Sequence, residues 1–125
     1  MPQGAGLSSS AALEVAVCVA LNDLYGLDLD GMRVALATQR AENDFVGMPC
    51  GIMDQAASAL AQEGRALFMD CRSLATRNVP FDPAGHGLRL LIVNTGVRHA
   101  LADGQYARRR QECENAAKHL GVASL

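Results

Sequence analysis

The stretch Pro2-Gln3-Gly4-Ala5-Gly6-Leu7-Ser8-Ser9-Ser10 runs without a break into Ala11-Ala12-Leu13-Glu14-Val15-Ala16-Val17-Cys18-Val19-Ala20-Leu21. This junction constrains the fold more than any other feature. Two glycines free the backbone for angles closed to other residues, whereas alanine and leucine in succession favour helix. A loop must therefore feed a helix. Apolar residues cover nearly the whole circumference of that helix, which predicts an element in the protein interior. Gly26 marks its expected end.

The remainder reads as mixed α and β. A second helix is expected from about Asp30, spanning Met32 to about Val46, with Val34, Leu36, Ala37, Ala41 and Phe45 on its apolar face. Gly47-Met48-Pro49-Cys50-Gly51 should form a tight loop before a short helix from Asp54 to Ala61. Arg65 to Asp70 and Leu88 to Thr95 read as strands, the latter as a central one because it is apolar on both faces. Val79 to Gly87 reads as the linker between them, and a last helix is expected from Gln105 to Leu120, ending at Gly121. The expected fold class is α/β, with the loop and a buried helix beside helices packed on a mixed sheet.

The chain has 125 residues, half of them hydrophobic, enough to form a core. Its formal charge of −2 offers no footprint for nucleic acid or an acidic membrane surface. Charges interrupt every apolar stretch before membrane-spanning length, and there is no basic and apolar leader, so a cytoplasmic location is expected. Cys18, Cys50, Cys71 and Cys113 include no C-x-x-C pair and lack histidines at ligand spacing, which predicts reduced thiols.

A glycine loop opening onto a helix N-terminus presents backbone N–H groups and a partial positive charge, the requirements for binding phosphate. Serine hydroxyls there can add hydrogen bonds or ligate a magnesium ion that bridges phosphate oxygens. The loop has neither the Gly-Lys-Ser/Thr ending of a Walker motif nor the third glycine of G-x-G-x-x-G. A helix simply capped by serine has the same composition.

Two carboxylates are further candidates. Glu42 has Thr38, Gln39, Phe45 and Val46 as its helical neighbours, none of them basic, so it either points to water or is neutralised by something such as a metal ion. Asp54, at the start of a short helix, could cap free N–H groups or accept a proton from a substrate hydroxyl. Arg108-Arg109-Arg110 reads as a solvated face, because Glu112 and Glu114 lie four residues beyond Arg108 and Arg110. Cys50 could be a reactive thiol, but no adjacent base can be named. His86, His99 and His119 form no motif.

Pro2 to Ala11 resembles the phosphate-binding second motif of the GHMP kinases, and Ala41-Glu42-Asn43-Asp44-Phe45-Val46-Gly47-Met48-Pro49-Cys50-Gly51-Ile52-Met53-Asp54-Gln55 resembles the signature of the galactokinases within them. The resemblance continues through Leu67 to Leu74, Asn94 to Leu101, and Tyr106 with the helix up to Glu114. It implies the GHMP α/β fold and ATP-dependent phosphorylation of galactose at its 1-hydroxyl. Gly4, Ala5, Gly6, Leu7, Ser8, Ser9 and Ser10 would hold the ATP phosphates, and Ser10 and Glu42 would ligate Mg2+. Asp54 would orient and deprotonate the sugar hydroxyl, with Gly51 and Tyr106 also at the substrate.

The resemblance further implies that residues 1–62 belong to the ATP-phosphate and catalytic part of the family's N-terminal domain, and 63–125 to the start of a second α/β part. The sugar-binding Gly-Arg-x-Asn-x-x-Gly-Glu-His-x-Asp-Tyr motif and the glycine-rich third motif do not occur in these 125 residues. The sequence therefore fits a portion of a galactokinase, a silent galactose and ATP sensor, another GHMP sugar kinase, or a structural relic. It leaves the oligomeric state open.

Overall fold

The computed structural model describes residues 6–94 and 104–125. Helix α1 spans Ser9–Tyr25, and Gly26 beyond it adopts φ 59°, donating its N–H to the carbonyls of Asn22 and Asp23 in the left-handed stop that glycine permits. The Asn22 side chain then pins the following turn, donating to the Leu29 carbonyl at 3.1 Å and accepting from the Leu29 N–H at 2.9 Å. Asp30 caps α2 (Gly31–Ala41) by accepting from the Arg33 N–H at 2.8 Å.

Helix α2 passes without interruption into a π-helical turn, Glu42–Val46. Gly47 closes it at φ 75°, and the Glu42 carbonyl accepts from the N–H groups of Gly47 and Met48. Helix α3 spans Met53–Leu60, and β1 (Arg65–Met69) and β2 (Thr76–Pro80) pair antiparallel, with Arg65 opposite Pro80 and Met69 opposite Thr76. The final helix, α4, is Gln105–Leu120 with Gly121 at its end.

The core lies between α2, α3 and β1, and Ala11 and Val15 of α1 are buried as well. Ala35 and Ala56 have no exposed surface and meet Ile52, with Met32, Leu60, Leu67, Met69 and Leu74 packed around them. Small side chains at this crossing let α2 and α3 approach closely. The buried face of α2 is Val34, Ala35, Thr38 and, in the turn that follows, Glu42. Thr38 is tolerated there because its hydroxyl donates back to the Val34 and Ala35 carbonyls at 2.9 and 3.1 Å.

The α/β class and the positions of α1, α2, α3, β1 and α4 agree with the sequence reading, and four local expectations are corrected. Leu36, Ala37 and Phe45 do not face the core: Leu36 and Ala37 lie on the side of α2 away from Val34, Ala35 and Thr38, while the wider π turn re-aims the residues it contains and Phe45 is 93% exposed. Within α1 only Ala11 and Val15 are buried, while Leu13, Val17, Val19 and Leu21 are exposed. Apolar character around a whole helix measures what could be covered, and the described residues cover one side.

Residues 88–94 form no strand, because no described strand is paired with them, and Thr95 lies outside the described residues. The start of the expected linker is instead β2. Its sequence, Thr76-Arg77-Asn78-Val79-Pro80, has little hydrophobic alternation and is held by pairing with β1 and by Asn78 donating to the Leu60 carbonyl at 3.2 Å.

Candidate active site

Gly4 and Ala5 lie outside the described residues. Gly6 has φ 70° and Ser8 has φ 55°. A left-handed conformation is open to glycine but costs a serine roughly 1 kcal/mol or more. Ser8 stands at the N-cap of α1, yet its side chain makes no capping hydrogen bond. The first α1 amide bonded to a carbonyl of this segment is that of Ala12, which donates to Ser8 at 3.1 Å. The simple serine cap is therefore not what this sequence forms. Leu7, Ser8, Ser9 and Ser10 surround a helix start whose leading N–H groups have no acceptor among the described residues, which suits them to an external one.

Glu42 begins the π turn, a helical irregularity that often occurs at functional sites. It does not point to water: only 4% of its surface is exposed, and its Oε2 has no hydrogen-bond partner among the described residues. The Glu14 carboxyl of α1 is its hydrogen-bonding neighbour, and Glu14 in turn meets the Gln55 amide of α3. Burial, then the adjoining Glu42 carboxyl, push the Glu14 pKa up from 4.5 to about 7, while the Gln55 hydrogen bond works in the opposite direction.

This shift has a definite sign for stability. Between pH 4.5 and about 7 the folded chain retains a proton that the unfolded chain releases, so the stabilisation present below pH 4.5 is lost as pH rises through about 7. In a chelator, without divalent cations, the midpoint of thermal unfolding should fall from pH 5 to pH 8. The Glu14→Gln chain should lack most of that slope. A midpoint that is flat or rises in the unaltered chain would contradict the assignment.

Asp54 sits in the first turn of α3, half-buried. It caps nothing: the N-cap is Ile52, and the Asp54 carboxylate has no hydrogen-bond or ion-pair partner among the described residues. Three residues earlier, the Gly51 N–H donates to the Tyr106 hydroxyl at 3.2 Å, so two expected substrate residues, 55 positions apart, are brought together. A Cβ on Gly51 would meet only that hydroxyl, at 3.9 Å, so packing among the described residues does not require glycine there.

The Tyr106 contact is reinforced by Arg110, which donates to the Pro49 carbonyl at 3.2 Å while pairing with Glu114 at the same distance. The arginine face of α4 is largely solvated, with Arg108 on Glu112, yet it also docks α4 against the Gly47–Gly51 loop. A cleft of about 430 Å³ between them is lined by Gln39, Pro49, Cys50, Gly51, Tyr106 and Arg110, among others.

Cys50 is not an activated thiol. Burial pushes its pKa up, and its Sγ donates to Asn43 Oδ1 at 3.5 Å and accepts from Gln55 Nε2 at 3.7 Å. Glu14 and Gln55 escape a reading by motif. The available signals were a carboxylate inside an apolar helix, one turn beyond Ser10 on the same face, and a glutamine next to Asp54.

Among the described residues no group of three or more histidine, cysteine, aspartate or glutamate side chains could hold a metal ion, so cysteine and histidine centres find no geometry here. A buried carboxylate oxygen without a donor nevertheless suits a hard divalent cation. No helix among the described residues is long and apolar enough to cross a membrane.

Residues 1–62 match the family described as GHMP kinases N terminal domain. Over all 125 residues the chain is 55% identical to a galactokinase of Streptomyces coelicolor and equally to one of Streptomyces lividans. It spans 32% of the former and 31% of the latter, about a third of the length of these relatives. The crystal structure of Lactococcus lactis galactokinase complexed with galactose matches 99% of the chain at a TM-score of 0.85 and 30% identity, and the matched part is 32% of that protein. The fold and the sequence agree along the whole chain, and it belongs to the GHMP kinases, corresponding to about a third of a galactokinase.

Proposed function

We propose that this stretch supplies the phosphate-binding, cation-binding and proton-accepting part of an ATP-dependent galactose 1-kinase. The observation that carries the reading is the state of Asp54. Its carboxylate is held on rigid helix and spent on no cap or ion pair among the described residues, in a chain 55% identical throughout to a galactokinase. A group in that condition is available to a substrate hydroxyl.

Gly4 to Ser10 receive the ATP phosphates, with the unbonded N–H groups at the start of α1 as donors. Ser10 and Glu42 hold Mg2+. When bound, that ion neutralises charge on the phosphate oxygens. Asp54 accepts the proton of the anomeric hydroxyl as the hydroxyl oxygen attacks the terminal phosphoryl group of ATP and the bond to the bridging oxygen breaks, releasing ADP, while Gly51 and Tyr106 border the sugar. Most of the rate enhancement in such a transfer comes from positioning and charge stabilisation. ATP and galactose are the small-molecule partners, and the cytoplasm is the compartment in which both would be met. Residues 1–62 form the catalytic part, and 63–125 begin the second part.

Because the sugar-binding arginine motif is not among these 125 residues, the chain alone should form no galactose 1-phosphate above background from galactose and MgATP. Sustained turnover by the purified chain would overturn its reading as one portion of a larger site.

A further inference from the structure

Three buried oxygens on three different elements lack any hydrogen-bond donor among the described residues: Oε2 of Glu14 on α1, Oε2 of Glu42 in the π turn and Oε1 of Gln55 on α3. They belong to one cluster, because the Glu14 carboxyl meets both Glu42 and Gln55. Glu42 and Gln55 are among the most buried polar side chains described, 4% and 2% exposed. Neither Glu14 nor Glu42 forms an ion pair among the described residues.

Buried acceptors without donors are rare and costly, about 1–3 kcal/mol each and more when charged. Packing does not account for three of them converging. Glu14 also hydrogen-bonds Glu42 and Gln55, and the Gln55 amide nitrogen donates to the Cys50 Sγ, yet one oxygen of each of the three side chains is still left without a donor among the described residues. Glu14 also lies one turn beyond Ser10, on the same face of α1.

We propose that Glu14 is a second carboxylate of the divalent-cation centre, acting with Glu42 and with the Gln55 side-chain oxygen beside them. This deepens, and rests on, the reading of Glu42 as a cation ligand. An all-oxygen set favours hard ions such as Mg2+ or Mn2+ over zinc. Two carboxylates also explain why the cluster is assembled from three helices: each supplies one oxygen donor, and the cation offsets the repulsion between the carboxylates.

The test is Mn2+ binding to the chain, with free ion read by electron paramagnetic resonance, for the unaltered protein, Glu14→Gln and Glu42→Gln. Glu14→Gln should raise the Kd for Mn2+ about ten-fold or more. Without metal, its thermal midpoint at pH 8 should equal or exceed that of the unaltered chain, since a like-charge contact is removed. A merely structural role would lower that midpoint.

Unchanged Mn2+ affinity in Glu14→Gln would overturn the proposal. If Glu42→Gln then binds more weakly, only the role of Glu14 falls; if Glu42→Gln is also unchanged, the assignment of Glu42 falls with it. Should Glu14→Gln fail to fold, Glu14→Asp, which keeps the charge but withdraws the oxygens by one methylene, is read by the same criterion.

Discussion

Asp54→Asn should lower kcat about 1,000-fold when this stretch replaces the corresponding third of the Streptomyces coelicolor galactokinase. Asparagine keeps the shape and nearly the volume of the side chain but cannot accept the hydroxyl proton. The structure makes this substitution unusually clean. The Asp54 carboxylate caps no amide and pairs with no cation among the described residues, so no visible interaction of the fold is lost with its charge. Affinity for a non-hydrolysable ATP analogue should be unchanged, because the phosphate loop lies at the start of another helix. Turnover within a few fold of the unaltered exchange enzyme would remove Asp54 from the chemistry. Lost nucleotide binding would show that it acts through structure.

Ala35→Leu should destabilise the chain by roughly 2–3 kcal/mol, near the upper end for over-packing a closed core. Ala35 has no exposed surface, and its neighbours Ile52 and Ala56 are fixed at the N-cap of α3 and within it, so the added carbons can be accommodated only if α2 and α3 separate. That separation would also shift Glu42, which continues directly from α2, and Gln55, which adjoins Ala56. Ala37→Leu on the exposed side of the same helix is the control, with an effect within about 0.5 kcal/mol. Urea unfolding measures both. Equal midpoints for the two variants would mean that the α2 to α3 crossing is not the tight core described.

Much of the fold was legible because local chemistry and tertiary structure agree. Gly26 and Gly121 stop α1 and α4 where expected, Asp30 caps α2, and the Arg108 and Arg110 pairs mark the solvated side of α4. What was hidden depends on partners. The strand Thr76–Pro80 exists through its pairing with β1, and the apolar run 88–94 is not a strand without a described neighbour. The π turn has no sequence signature, so the outward turn of Phe45 and the burial of Glu42 could not be read from a helical period.

The site followed the same division. Ser10, Glu42, Asp54, Gly51 and Tyr106 were singled out by resemblance, while residue pattern alone left a serine cap, a solvated glutamate and an aspartate cap open. The structure removes those simpler alternatives, since Ser8 and Asp54 cap nothing and Glu42 is buried. It also adds Glu14 and Gln55, whose significance appears only when three helices converge.

The most direct measurement is phosphorus NMR of the product formed from ATP and galactose by the exchange enzyme carrying the unaltered 125 residues. The account predicts galactose phosphorylated at the anomeric oxygen, at a rate within about ten-fold of the parent enzyme, since the stretch is 55% identical to the one it replaces. A folded exchange enzyme that binds ATP yet forms no galactose 1-phosphate would contradict it.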